Sequence, residues 1–166
     1  MITREGSMAV ILSPDRRQVL LHRRELFRLW DLPGGGIEKN ETPEQAIIRE
    51  TREETGYEIQ LEQLVGVYLC QSVNGLGDQK TYVFRARATG GEARPSGLET
   101  SDLCWCDLTE APRRLEPLHR QMVDDAILQA PEPFQRRIDF PLWKLYPARL
   151  AFAVVSVRNA IVRRLA

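Results

Sequence analysis

Histidine is scarce in this chain: of 166 residues, only His22 and His119 carry an imidazole. Mechanisms that activate a nucleophile through histidine, or bind metal through clustered imidazoles, therefore have few candidates. Cysteine is almost as sparse. Cys70, Cys104 and Cys106 are odd in number and lack the paired C-x-x-C spacing of a structural zinc site, so they read as reduced thiols of a cytoplasmic protein. Long apolar runs are missing too. None approaches the roughly 20 residues that cross a bilayer, and after Arg4 and Glu5 the run Met8 to Leu12 is too short for the apolar part of a secretory leader.

Net charge is absent as well, with 23 Lys+Arg against 23 Asp+Glu, but the balance hides a division. Residues 1–133 hold 16 basic and 22 acidic side chains, whereas residues 134–166 hold 7 and 1. An acidic body excludes a nucleic-acid polymer as the expected partner of the main domain, because such binding rests on basic patches. What is present is an ordinary globular composition, 43% hydrophobic and 28% charged, enough for one domain with a real core.

The pattern predicts a mixed α/β (α+β) layout. Met8 to Leu12 and Val19 to Leu21 flank the turn Ser-Pro-Asp-Arg-Arg as a hairpin. "WDLPGGGI" leads into a glycine-rich loop, and a helix is expected from Pro43 to about Thr55. Thr42 and Gln45 there form a capping box, Pro43 stands at the first helical position and Gly56 is the stop. Strands are expected near Leu64 to Ser72 and Thr81 to Ala88, joined by Asn74 to Asp78, and again over Leu103 to Asp107. A further helix is expected from about Pro117 to Gln129. Pro131 and Pro133 divide the chain into a domain of residues 1–130 and a basic helical extension of residues 131–166. The closing helix runs from Pro147 to Ala166. That extension has two readings: docked on its own domain or a second subunit, as in a homodimer, or laid on an anionic membrane surface.

On a helical wheel, Glu50, Glu53 and Glu54 share one face at i, i+3 and i+4, while Ile47, Ile48, Thr51 and Thr55 fall on the arc expected to meet the sheet. Arg49 lies at the edge of the acidic face. Crowded carboxylates repel. An oxygen-only donor set beside three consecutive glycines suits a hard divalent cation such as Mg²⁺, which would remove the repulsion.

Gly35, Glu41, Arg49-Glu50, Glu53-Glu54 and Gly56 supply all seven fixed letters of GX5EX7REUXEEXGU, the box of the Nudix hydrolases, over residues 35–57. Thr51 and Tyr57 depart from the bulky aliphatic residue usual at the two U positions, but both can still pack. Asn40 stands in a turn where it tolerates the left-handed conformation. The flanks resemble the family over about residues 7–112. The resemblance implies an α/β/α sandwich with a mixed sheet, and Mg²⁺- or Mn²⁺-dependent hydrolysis of a nucleoside diphosphate linked to another group X. It implies Glu50, Glu53, Glu54 and the carbonyl of Gly34 as metal ligands, Arg49 as the residue orienting a glutamate, and Glu41 as the tie between loop and helix, with Glu38 a lesser contributor. The general base falls to Glu53 first, then Glu50, with Glu99 as the downstream candidate ahead of Asp102. Phe27 and Tyr82, with Tyr68, are candidates to stack a base, and Arg23 or Arg28 to grip a phosphate. No coenzyme A signature is present, and Val73 stands where ADP-ribose hydrolases carry a proline. The rival reading is a catalytically silent Nudix-fold binding or regulatory module; the intact glutamate set argues for catalysis.

Overall fold

In the computed structural model, residues 2–24, 29–70, 78–95, 100–115 and 117–138 are described. The Asn74–Gly77 part of the expected loop, Phe27, Arg28, Glu99 and the segment Pro147–Ala166 expected to be a closing helix lie outside them. Eight strands and three helices follow in chain order: β1 (Ile2–Leu12), β2 (Gln18–Arg24), β3 (Trp30–Asp31), β4 (Gly34–Gly36), α1 (Pro43–Thr55), β5 (Tyr57–Cys70), β6 (Asp78–Gly91), β7 (Thr100–Asp107), α2 (Ala111–Arg114), α3 (Pro117–Leu128) and β8 (Phe134–Ile138).

All strands belong to one mixed sheet. Its centre is the parallel pair β1–β6, flanked by β5 antiparallel to β6. β1 forks on its other side. Its Leu12 end meets Val19 of β2, while Gly6, Ser7 and Met8 pair with Gly36, Gly35 and Gly34 of β4. β2 carries β3 and β7 as antiparallel neighbours, and β8 closes the far side parallel to β5. This fork brings the glycine loop beside the middle of the sheet.

Alternation along the strands divides the core into two layers. One holds Val10, Leu12, Leu21, Leu32, Tyr68 and Val83 against Ala111, Leu115, Met122, Val123 and Ala126 of α2 and α3. The other holds Ala9, Ile11, Leu20, Ile59, Phe84 and Ala86 against Ile47 of α1. The result is the expected α/β/α arrangement with a mixed sheet.

α1 has the limits that the sequence indicates. Thr42 accepts a hydrogen bond from the Gln45 N–H, the Gln45 side chain accepts from the Thr42 N–H, and Gly56 ends the helix in the left-handed region at φ 76°. Asn40 is left-handed too, at φ 68°. The two departures from the box pattern are accommodated: Thr51 is fully buried, and Tyr57 meets Trp105 edge-on with ring centres 6.0 Å apart. One expectation fails. Ile48 is 44% exposed, and Glu54 takes the inward position, 6% exposed beside buried Ala46, Ile47, Thr51 and Thr55.

Within the segment read as a helical extension, residues 134–138 are a strand. Asp125 of α3, itself buried, anchors it by accepting from Arg136 Nε at 2.5 Å and Nη2 at 2.6 Å. Among the described residues, no helix is long and apolar enough to cross a membrane.

Candidate active site

The three glycines of β4 let backbone and carboxylates meet. A Cβ on Gly34 would lie 2.4 Å from the Ser7 carbonyl oxygen, and one on Gly35 would lie 2.3 Å from the Glu50 carboxyl carbon. Any side chain there would push the strand off β1 or displace Glu50. Loop and helix are then tied by Arg49. Its Nε and Nη2 donate to Glu41 at 2.9 Å each, Nη2 donates to the Gly36 carbonyl at 3.1 Å, and Nη1 donates to Glu50 at 2.9 Å and Glu53 at 3.2 Å. Glu41 also accepts from the Glu38 N–H at 2.9 Å. The Arg49 hydrogen bonds are the main reason the Glu41 carboxyl is held at about 2, and the same bonds raise Arg49 further above its usual range.

Arg49, placed at the edge of the acidic face by the wheel, thus reaches across it. The three glutamates meet different surroundings. Glu53 projects outward, its side chain 60% exposed, and Glu50 is largely covered. Glu54 is inside, where Oε2 accepts from the Gly34 N–H at 2.9 Å and Oε1 lies 3.8 Å from His22 Nδ1. Burial pushes the Glu54 carboxyl up to about 8, against the lowering by the Gly34 N–H. Among the described residues, no group of three or more His, Cys, Asp or Glu side chains is drawn together closely enough to hold a metal ion. The physical reason lies in the pairing. Like charges separate when Arg49 takes Glu50 and Glu53 and the loop N–H takes Glu54. The donors nonetheless fit a hard cation, because all are oxygens, and a bound cation would favour the ionised form of Glu54 that burial disfavours.

His22 is fully buried on β2, with Nδ1 3.0 Å from Thr100 Oγ1. Burial pushes its imidazole down to about 4, so it is neutral at pH 7. Nearby, Asp31 is buried, 2.7 Å from His119 Nδ1 and 2.8 Å from Arg24 Nε. Burial alone would raise Asp31; His119 and Arg24 outweigh it and hold the carboxyl at about 2. Sequence reasoning gave His22 no role and did not name Thr100 or Asp31 as site residues. A signal existed for His22, which stands two residues after Leu20 in an alternating strand and so shares its inward face.

The substrate candidates are not brought together. Arg23, with its guanidinium 5.6 Å from the Trp30 ring and 3.5 Å from Asp102, lies on the α3 side of the sheet with Trp30. Tyr82 packs on the α1 side, its ring and hydroxyl both taken by Lys80. Tyr68 is in the core, donating to Asp125 at 2.7 Å. Phe27, Arg28 and Glu99 lie outside the described residues.

A family model described as the NUDIX domain matches residues 3–126. A protein of Bacillus subtilis (strain 168), whose description proposes 8-oxo-dGTP diphosphatase activity, is 33% identical over 121 residues, 73% of this chain and 78% of its own length. An ADP-ribose pyrophosphatase of Methanocaldococcus jannaschii is 31% identical over 117 residues, 69% of this chain and 68% of its own length. Among solved structures, a NUDIX hydrolase from Nitrosomonas europaea superposes with a TM-score of 0.70 at 21% identity, covering 84% of this chain and 81% of that one.

Proposed function

The chain belongs to the Nudix hydrolases, enzymes that act on phosphoric anhydride bonds, and on that footing we propose that it is a divalent-cation-dependent pyrophosphohydrolase of small nucleotides. The substrate class is a nucleoside diphosphate joined to a second group X, in line with relatives named for 8-oxo-dGTP and ADP-ribose. The observation that carries this reading is the run of Glu50, Glu53 and Glu54 on α1 beside β4, where a side chain on Gly34 or Gly35 would force a shift.

Mg²⁺ or Mn²⁺ held by Glu50, Glu53, Glu54 and the Gly34 carbonyl would neutralise phosphoryl oxygens and acidify a water. Arg49 fixes the rotamers of Glu50 and Glu53 through charge-assisted hydrogen bonds. Glu53, the outward carboxylate, takes the proton as the water oxygen bonds to phosphorus and the bridging P–O bond breaks. The leaving phosphate departs with that electron pair. Glu50 and the downstream Glu99 are the alternative bases to Glu53.

The test is a product-resolved screen of metal-stripped protein against nucleoside triphosphates, 8-oxo-dGTP, ADP-ribose, nucleotide sugars and dinucleoside polyphosphates. We expect an anhydride bond to be cleaved with Mg²⁺ or Mn²⁺ and spared with EDTA. Turnover that survives EDTA, or none on any of these compounds with either metal, would overturn the proposal.

A further inference from the structure

His22 stands out once the mechanism above is set aside. It lies on the side of the sheet where an apolar residue would pack against Leu20 and Ile47, yet it is an imidazole buried to 0% exposure. Its Nδ1 sits between two oxygens: Thr100 Oγ1 at 3.0 Å from the first strand-end residue of β7, and Glu54 Oε1 at 3.8 Å from α1. Thr100 is also fully buried. The other oxygen of the same carboxylate, Oε2, is held by the Gly34 N–H.

We propose that His22 is a positioning residue for Glu54, its Nδ1 edge facing one carboxyl oxygen while the Gly34 N–H holds the other, so that the group is kept in the orientation offered to a divalent cation. With Nδ1 protonated, its N–H donates to Thr100 Oγ1 and turns its positive end towards the ionised Glu54 carboxylate that a cation would bind. At 3.8 Å the effect on Glu54 is electrostatic rather than a direct hydrogen bond, and it acts where water does not screen it. Thr100 Oγ1 keeps the ring from turning away. Partners of this kind orient metal-binding side chains, and their loss costs roughly 10–100-fold in metal affinity.

This inference rests on Glu54 being a metal ligand, so the experiment separates the two. Mn²⁺ alone is titrated into the metal-stripped full chain, with free Mn²⁺ read by electron paramagnetic resonance, for the wild type, His22→Leu, His22→Asn and Glu54→Gln. Thermal unfolding of each metal-free protein is measured alongside. Leucine fills the space without a donor; asparagine places an N–H close to the position of Nδ1. We expect His22→Leu to bind Mn²⁺ at least about tenfold more weakly while its metal-free unfolding temperature holds or rises, and His22→Asn to recover most of the affinity. Wild-type affinity in His22→Leu, with Glu54→Gln weakened, overturns the inference and leaves the metal site standing. Unchanged affinity in Glu54→Gln overturns both. Equal weakening in His22→Leu and His22→Asn, with both unfolding early, reduces His22 to a packing residue and also overturns it. If His22→Leu does not fold, Thr100→Val, which frees the imidazole to turn, carries the same expectation and the same refutation.

Discussion

Two buried carboxyl groups, one on each face of the sheet, are satisfied in opposite ways. On the α3 side, Asp125 is a buried carboxylate with every oxygen engaged: Tyr68 and Arg136 donate to one, Gln121 and Arg136 to the other. Its partner Tyr68 belongs to the larger apolar cluster, and its bonds to Arg136 join α3 to β8. On the α1 side, Glu54 is buried with one backbone N–H and a neutral imidazole for company, and Ser7 Oγ and Thr51 Oγ1 are buried with no hydrogen-bond partner among the described residues. Incomplete satisfaction costs stability, and natural interiors keep it where it serves a purpose. Arg120 Nε of α3 is likewise buried with no hydrogen-bond partner among the described residues, so the contrast lies in the two carboxyl groups: Asp125 is fully paired within the domain, and Glu54 keeps one backbone hydrogen bond.

That contrast can be broken at several points. The largest expected effect is on turnover: Glu53→Gln removes an exposed proton acceptor, so kcat should fall on the order of a thousandfold with the unfolding temperature nearly unchanged. If near-native rates survive, the base is another carboxylate. Next comes Ile47→Ala, which empties the α1-side core and should cost about 2–5 kcal/mol in denaturant unfolding. Asp125→Ala leaves the Tyr68 hydroxyl buried and unpaired, and should cost about 1–3 kcal/mol without lowering kcat of the folded fraction. A fall in kcat there would show that the two faces are not separable.

Asp31 supplies the pH dependence. Its folded value of about 2 lies below the ordinary 3.8, so its pairing with His119 and Arg24 stabilises the protein fully above about pH 4. That contribution, about 2 kcal/mol at roughly 1.4 kcal/mol per unit, is lost as pH falls through about 2. Acid titration of Asp31→Asn should lack this limb; an identical acid profile would refute the assignment. The smallest effect is expected at Ile48→Ala, within about 0.5 kcal/mol, because that side chain faces outward.

The contrast between Ile47 and Ile48 also shows where sequence reasoning stops. The carboxylate helix was legible because its limits are local: a capping box, a proline at the start and a glycine at the end act within a few residues. The wheel placed both isoleucines towards the sheet, but α1 is turned so that Glu54 lies inward, bonded to the distant Gly34 N–H beside Ala46, Ile47, Thr51 and Thr55, and Ile48 lies out. β8 escaped notice for a similar reason. Pro131 and Pro133 read as a break, whereas Phe134–Ile138 owes its strand conformation to parallel pairing with β5 and to Asp125, neither visible from its own residues. Four-residue α2 is too short for a period to show. At the site, the box marked the glutamates and Arg49. The fan of Arg49 bonds over Glu41, Glu50 and Glu53, and the pocket of His22 and Thr100, are meetings of residues far apart in the chain.

Calorimetric titration of Mg²⁺ into metal-stripped protein, with a nucleoside diphosphate present, tests the central assignment most directly. The wild type should bind Mg²⁺ saturably, and a chain carrying Glu50→Gln, Glu53→Gln and Glu54→Gln together should show no such binding while staying folded. Equal binding by the two proteins, or none by either, would contradict the assignment of the α1 carboxylates as the seat of the cation.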